Sequence, residues 1–179
     1  MQINTYTEFY NRYFSGEEFR TQFGQALDML KGVRNIFFIG NGGSNAVCSH
    51  MMEDFAKIAG YRTFGFSDPA LITCFSNDYG YENAMAEWVK VYFEKGDLLV
   101  AISSSGNSKN ILNAARSASE LGGNIMTLTG FKQGNALSSM GKVNFHLPVE
   151  NYGVVECFHQ VILHALLDEH AQSKDNKKQ

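Results

Sequence analysis

Short apolar runs alternate with longer segments of helical spacing along most of the chain. Five of these runs predict β-strands, at residues 35–39, 62–66, 98–102, 124–128 and 143–147. The run at 98–102 (LLVAI) is wholly apolar, which is typical of a strand buried on both faces of a sheet. Helices are predicted between the strands, near 44–59, 70–91 and 108–121, and after them at about 154–170. This alternation predicts an α/β fold in which a doubly wound, five-stranded parallel sheet is flanked by helices.

The two ends of the chain lie outside this alternation. Near the start, large apolar residues recur at helical spacing: Phe19, Phe23, Leu27 and Leu30. The segment of about residues 1–31 is therefore predicted to contain at least one amphipathic helix before the sheet. At the other end, residues 172–179 (QSKDNKKQ) are polar and lack apolar periodicity, which predicts a disordered tail. We expect a single domain over residues 1–171.

Composition excludes several classes of protein. The 179 residues are 44% hydrophobic, enough to bury one substantial core. The net charge is −3 and no Lys/Arg cluster stands out, so nucleic acid is not expected as a partner. We expect no membrane span, because no apolar run reaches about 18 residues. The start lacks the pattern of a secretory signal, and the three cysteines are odd in number and widely spaced, so we expect a cytoplasmic protein with reduced thiols.

A glycine-rich loop, GNGGS at 40–44, follows the first predicted strand and opens a helix. Glycines there let backbone N–H groups approach an anion at the helix N-terminus, although a simple tight turn also explains them. The loop is not a Walker A motif, because no Lys-Ser/Thr pair follows it. Asn45 stands where the dinucleotide fingerprint has a third small residue, which disfavours a nicotinamide-dependent dehydrogenase.

A serine-rich loop, SSSGNS at 103–108, follows the wholly apolar strand and precedes another helix. Hydroxyl groups at the positive end of a helix suit a phosphate group, and the alternative is an N-cap with spare serines. The loop lacks a lysine, which favours a phosphate that is held in place over one that is transferred.

Two groups of ionisable residues follow these loops. His50 and Asp54 lie four residues apart on one face of a predicted helix, while Glu156, His159 and His164 lie on the otherwise apolar last helix. If the helices meet, two histidines and two carboxylates would suit a divalent ion such as zinc; a buried histidine paired with a carboxylate is the alternative. A further polar pair, Asn77 and Asp78, is interpreted as a site element or a turn before a helix, and His146 and His170 carry no motif.

Four segments in this order resemble the phosphoheptose isomerase family of SIS (sugar isomerase) domains: GNGGS, SNDYG, ISSSGNS and HxxxxH, the last formed by His159 and His164. The resemblance covers about residues 35–170. It implies a sugar-phosphate isomerase that interconverts sedoheptulose 7-phosphate and D-glycero-D-manno-heptose 7-phosphate for the heptose of bacterial surface polysaccharides. It also implies a homotetramer with active sites at subunit interfaces and one zinc ion per subunit.

The resemblance also implies roles for individual residues. The substrate would contact the glycine loop, the serine loop, the SNDYG segment and two carboxylates: Asn41, Gly42, Gly43, Ser44, Ser103, Ser104, Ser105, Ser108, Asn77, Asp78, Asp54 and Glu156. Metal would be held by His50, Asp54, Glu156 and His164. Asp54 and His164 would transfer protons through an enediol.

The chain departs from the family pattern at several of these positions. The family usually has Glu at Asp54 and Gln followed by Glu at Glu156 and Cys157, and an Asp near the position of Gly153. A carboxylate shortened by one methylene retracts the base, and a misplacement of about 1 Å can lower a rate about 100-fold. The competing hypothesis is therefore a non-catalytic SIS module that binds a sugar phosphate or a protein partner, such as a replication initiator.

Overall fold

Strands and helices alternate from residue 35 onward in the computed structural model, which describes residues 2–175. The strands are β1 (Asn35–Ile39), β2 (Arg62–Gly65), β3 (Leu98–Ser103), β4 (Asn124–Gly130) and β5 (Val143–Leu147). The helices are α1 (Gln2–Phe14), α2 (Glu17–Leu30), α3 (Gly43–Ala59), α4 (Pro69–Tyr79), α5 (Tyr81–Tyr92), α6 (Lys109–Glu120) and α7 (Tyr152–Asp175), with a 3₁₀ turn at Ala136–Ser139. Every predicted strand is present, with ends that differ by two residues or fewer.

The strands form one parallel sheet in the order β2-β1-β3-β4-β5. This confirms the predicted doubly wound sheet. β3 lies at its centre, and all of its residues are buried, as its apolar sequence predicts. The chain leaves β1 toward β2 and returns on the other side to form β3, so the loops after β1 and β3 diverge. Such a switch point opens a crevice at the carboxyl ends of the strands, where ligands of these sheets bind.

Helices cover both faces of the sheet. Alternate residues of β1 point to opposite sides, so that Phe38 packs in the core with α3 and α7, while Phe37 packs in the core with α5 and α6. The aromatic residues of α1 and α2 cover the first of these cores, where Phe14 stacks on Phe158 of α7. The predicted N-terminal helical segment is thus two helices packed against the sheet layer.

Two predicted boundaries differ from the structure. The helix predicted over 70–91 is divided at Gly80, whose φ of +75° ends α4 and begins α5, because glycine adopts this conformation without steric cost. Helix α7 continues to Asp175, so residues 172–175 of the predicted tail are helical, and 176–179 lie outside the described residues. Within the described part of the chain, every helix is too short or too polar to span a bilayer.

Candidate active site

A small cavity of about 130 Å³ lies at the switch point, where the loops after β1 and β3 meet the start of α7. We call it the serine pocket. It is lined by Asn41, Ser44, Ile102, Ser103, Ser104, Ser105, Ser108, Tyr152 and Glu156. Typical small-molecule sites measure roughly 300 to 1,000 Å³, so this pocket suits one compact group such as a phosphate.

The glycine loop brings the N-terminus of α3 to the serine pocket. A side chain at Gly40 would lie 2.8 Å from the backbone of Ser44, so the turn closes only around glycine. Gly42, the N-cap residue of α3, has a φ of +54° and makes no side-chain cap. Because Gly42 has no side chain that could cap this helix, the first N–H groups of α3 need a partner from outside the glycine loop.

The serine loop brings the N-terminus of α6 to the same pocket. Ser108 is the N-cap residue of α6, yet its hydroxyl makes no cap; the Ser103 hydroxyl donates to it at 3.3 Å. The Ser104 side-chain oxygen is buried and has no hydrogen-bond partner among the described residues. An anion in the pocket would supply the missing partner of the Ser104 hydroxyl.

Two asparagines hold the glycine loop against α6. The Asn41 amide donates to Asn110 at 3.0 Å, and the Asn110 amide donates back to Asn41 at 2.8 Å. The Tyr81 hydroxyl donates to the same Asn41 oxygen at 2.8 Å. Sequence reasoning missed Asn110 and Tyr81, because neither lies in a loop with a recognisable motif.

Glu156 places a carboxylate in the serine pocket. A Cβ atom at Gly43 would collide with this carboxylate, which therefore lies directly against the start of α3. The positive end of the α3 dipole favours a negative group at this point. A bound phosphate would nevertheless share the pocket with a like charge.

The ionisable residues of α3 and α7 meet in a second place, which we call the His-Asp cluster. The Asp54 Oδ2 atom lies 3.1 Å from His50 Nε2 and 3.8 Å from His164 Nδ1. Potential ligand atoms of His50, Asp54 and His164 all lie within 4.8 Å of one another. Two imidazole nitrogens and one carboxylate oxygen match the donor set of a catalytic zinc site that keeps a position open for substrate.

Gln160 also reaches the His-Asp cluster, and sequence reasoning missed it. Its amide nitrogen lies 2.8 Å from His164 Nε2 and 3.4 Å from His50 Nδ1. Its position four residues after Glu156 and four before His164 places all three on one face of α7. This four-residue spacing is the feature of the sequence from which Gln160 could have been predicted as a neighbour of His164.

The serine pocket and the His-Asp cluster lie at different levels of the same helix pair. Glu156 contacts Gly43 near the start of α3, whereas His164 lies beside Asp54, so α3 and α7 run in parallel. At 1.5 Å per residue, Asp54 lies about 16 Å farther along α3 than Gly43. Within one chain, Glu156 is therefore separate from the other three predicted metal ligands.

The remaining candidate residues lie elsewhere. Asn77 and Asp78 occupy the last turn of α4, not a turn before a helix; both are exposed, and the Asn77 amide donates to Asp78 at 3.0 Å. Neither lines the serine pocket. His159 is fully buried against the Thr129 carbonyl at 3.1 Å, and its burial lowers its pKa to about 4. It is a core residue of α7.

A larger cavity of the described chain lies away from these motifs. It measures about 620 Å³ and lies between the α1–α2 corner and β5, lined in part by Tyr13, Gln22 and His146. It holds no glycine or serine loop and none of the His-Asp cluster. The smaller pocket remains the candidate active site, because α3 and α6 begin there and the ionisable side chains lie along α3 and α7.

Comparison with known proteins agrees with this architecture. The SIS domain family model matches residues 23–130. The phosphoheptose isomerase of Glaesserella parasuis is 33% identical over 146 residues, which cover 78% of this chain and 76% of that protein. The phosphoheptose isomerase of Histophilus somni is 32% identical over 88% of this chain and 85% of its own length. The solved phosphoheptose isomerase of Neisseria gonorrhoeae superimposes with a TM-score of 0.84 at 25% identity, covering 96% of this chain and 95% of that one.

Proposed function

Because the chain belongs to the phosphoheptose isomerase family of SIS domains, we propose that it interconverts sedoheptulose 7-phosphate and D-glycero-D-manno-heptose 7-phosphate. One observation carries the proposal: α3 and α7, which both begin near the serine pocket, together carry the His-Asp cluster. A phosphate site and a proton-transfer site thus belong to one structural unit.

The serine pocket would hold the phosphate without reacting with it. The hydroxyls of Ser103, Ser104, Ser105 and Ser108 are neutral, and two helix N-termini point into the pocket. This arrangement orients the sugar and leaves the phosphate ester intact.

The isomerisation moves one hydrogen between C1 and C2 of the sugar. Starting from the ketose, one of Asp54 and His164 takes a proton from C1 and leaves an enediol across C1 and C2. A proton is then delivered to C2, while the hydroxyl proton at O1 is lost and O2 gains one. The pair suits these steps because a carboxylate and an imidazole lie 3.8 Å apart.

Zinc fits the donor atoms of the His-Asp cluster. His50, Asp54 and His164 would hold it, and when bound it would supply a Lewis acid that polarises the sugar oxygens. Glu156, the fourth predicted ligand, faces the serine pocket of its own chain and would need a different arrangement to join them.

We also propose a homotetramer whose active sites combine residues of different subunits. The distance of about 16 Å along α3 between Gly43 and Asp54 supports this assembly, since a second subunit could bring its own His-Asp cluster beside the serine pocket. The resemblance to phosphoheptose isomerases also supports an enzyme that works in the cytoplasm and supplies heptose for lipopolysaccharide.

The direct test is to incubate the purified, chelator-treated protein with sedoheptulose 7-phosphate, with and without added zinc, and to follow aldose formation by NMR. We expect conversion, with zinc changing its rate if the His-Asp cluster binds the metal. Binding of the sugar phosphate without conversion would instead support the non-catalytic module, which the shortened Asp54 and the charged Glu156 favour.

A further inference from the structure

Tyr152 is the one aromatic side chain among the described residues that line the serine pocket. It lies at the first position of α7 and is 63% exposed, whereas Ile102, the apolar residue that shares the lining, is fully buried. The other lining residues carry hydroxyl, amide or carboxylate groups. Tyr152 therefore provides exposed apolar surface at the mouth of a pocket that is otherwise polar.

A second aromatic ring packs against Tyr152. Phe131, in the loop after β4, lies edge-to-face to it, with the two ring centroids 4.8 Å apart. The φ angle of Phe131 is +61°, the one positive value at a residue other than glycine in the described part of the chain. Bulky side chains rarely adopt this conformation, and strained residues of this kind cluster at ligand sites. Here the strained residue places its ring against an aromatic wall of the serine pocket.

The loop that carries Phe131 is tied to the serine loop. The Gly130 N–H group donates to the Ser104 carbonyl at 2.9 Å. The amide of Asn135, a buried residue, donates to the Gly130 carbonyl at 3.3 Å and thereby closes the loop around Phe131. The Tyr152 ring thus has a defined position relative to a phosphate held by the serine loop.

We propose that Tyr152 determines substrate specificity by packing its ring against the carbon chain of the sugar phosphate, with Phe131 as a positioning residue. The inference rests on the proposed function, in which the serine pocket holds the phosphate. A phosphate held there leaves its carbon chain to extend out of the pocket, past the exposed ring. The C–H groups of the chain bury apolar surface against the ring. The site therefore favours phosphate esters of long carbon chains over short ones.

Calorimetry with ligands of increasing chain length tests this role: inorganic phosphate, glycerol 3-phosphate and a heptitol 7-phosphate. The heptitol phosphate has no carbonyl group and cannot isomerise, so its binding is measured without turnover. In Tyr152→Ala we expect its dissociation constant to rise about tenfold, the effect of losing roughly 60 Å² of apolar contact. Glycerol 3-phosphate should lose less affinity, and inorganic phosphate should stay within about twofold of its wild-type affinity.

Two control variants separate the ring from the hydroxyl group and from a general change of the surface. Tyr152→Phe retains the ring and should bind all three ligands within about twofold of wild type. Tyr92→Ala removes an exposed tyrosine at the end of α5, outside the serine pocket, and should behave in the same way. An unchanged affinity of Tyr152→Ala for the heptitol phosphate, or an equal loss for all three ligands, would overturn the proposal.

Phe131→Leu tests the positioning role. The variant keeps an apolar side chain but removes the ring that packs on Tyr152. We expect its affinity for the heptitol phosphate to fall about threefold, the effect of losing one aromatic pair, while its affinity for inorganic phosphate is unchanged. An equal loss for inorganic phosphate would show instead that Phe131 shapes the serine loop.

Isomerase kinetics distinguish this proposal from the proposed function. Tyr152→Ala should raise KM for sedoheptulose 7-phosphate about tenfold with kcat nearly unchanged, because the ring contacts the chain and not the reacting carbons. If the wild-type protein binds the heptitol phosphate but does not isomerise the sugar, the isomerase function fails, and the binding series still decides the role of Tyr152. A wild-type protein that binds none of the three ligands would overturn both proposals.

Discussion

The serine pocket and the His-Asp cluster are built in opposite ways. The pocket comes from two short loops, and its ligand groups are neutral hydroxyls and backbone N–H groups at helix ends. The cluster comes from side chains in the middle of two helices, and its groups are ionisable. The difference indicates two separate roles: fixed neutral donors suit the binding of a group of constant charge, whereas ionisable groups suit the transfer of protons.

The largest expected effect tests the cluster. Asp54→Asn keeps the size of the side chain but removes its basicity, so kcat should fall about 100- to 10,000-fold. Binding of the sugar phosphate, measured by calorimetry, should persist because the serine pocket is unchanged. Glu53→Gln, at the neighbouring exposed position of α3, is the matched control. Full activity of Asp54→Asn would remove Asp54 from the proton transfer.

The next effect tests the pocket. Ser104→Ala removes a buried hydroxyl that has no partner among the described residues. A hydrogen bond to a charged group contributes about 1.5–3 kcal/mol, so KM should rise about 10- to 100-fold with little change in kcat. Steady-state kinetics measure both constants, and Ser119→Ala on the exposed side of α6 is the control. An unchanged KM would place the phosphate elsewhere.

Glu156 is an exception to this difference between the two regions, because it places a charged group among the neutral groups of the serine pocket. Two like charges about 4 Å apart repel by about 4 kcal/mol at an effective dielectric constant of about 20. If a third of that repulsion acts here, Glu156→Gln should lower KM, and the inhibition constant of inorganic phosphate, about tenfold. Weaker phosphate inhibition in this variant would show instead that the carboxylate assists binding, for example through a metal ion.

His159 lies on α7 between Glu156 of the serine pocket and His164 of the His-Asp cluster. Substitution of His159 should leave kcat and KM unchanged. Its folded-state pKa of about 4 lies below the ordinary histidine value of about 6.5, so at acidic pH the unfolded chain takes up a proton that the folded chain resists. His159 alone should therefore lower the free energy of unfolding by up to about 3 kcal/mol between pH 6.5 and pH 4. Gln at this position retains a donor for the Thr129 carbonyl but does not titrate.

Urea unfolding of wild type and His159→Gln at pH 7 and pH 4 measures this effect, because the carboxylates common to both proteins cancel in the difference. The loss of stability on acidification should be smaller in the variant. An equal loss in the two proteins would show that His159 is not the group responsible.

The sequence predicts the pocket better than the cluster, for a physical reason. The glycine and serine loops follow directly from two apolar strands, and adjacent parallel strands end at the same edge of the sheet. The contact of His164 with Asp54 depends on how α3 packs on α7, which residue spacing on either helix cannot determine. For the same reason, Gln160 and the separation of Glu156 from the cluster emerge from tertiary structure.

The fold itself follows almost entirely from apolar patterning. Alternating residues of β1 and the wholly apolar β3 specify a sheet covered on both faces, and the structure has both. The break at Gly80 was missed because helical spacing continues across it, and a glycine inside a periodic segment does not reveal its φ angle.

The reciprocal amide pair of Asn41 and Asn110 constrains how this family member can evolve. Each side chain is both donor and acceptor to the other, and Asn110 is almost fully buried. Replacing Asn41 leaves the buried amide of Asn110 without this partner, at a cost of about 1–3 kcal/mol. Mutational drift at the two positions should therefore be correlated, so that in divergent descendants Asn41 and Asn110 are either both retained or both exchanged.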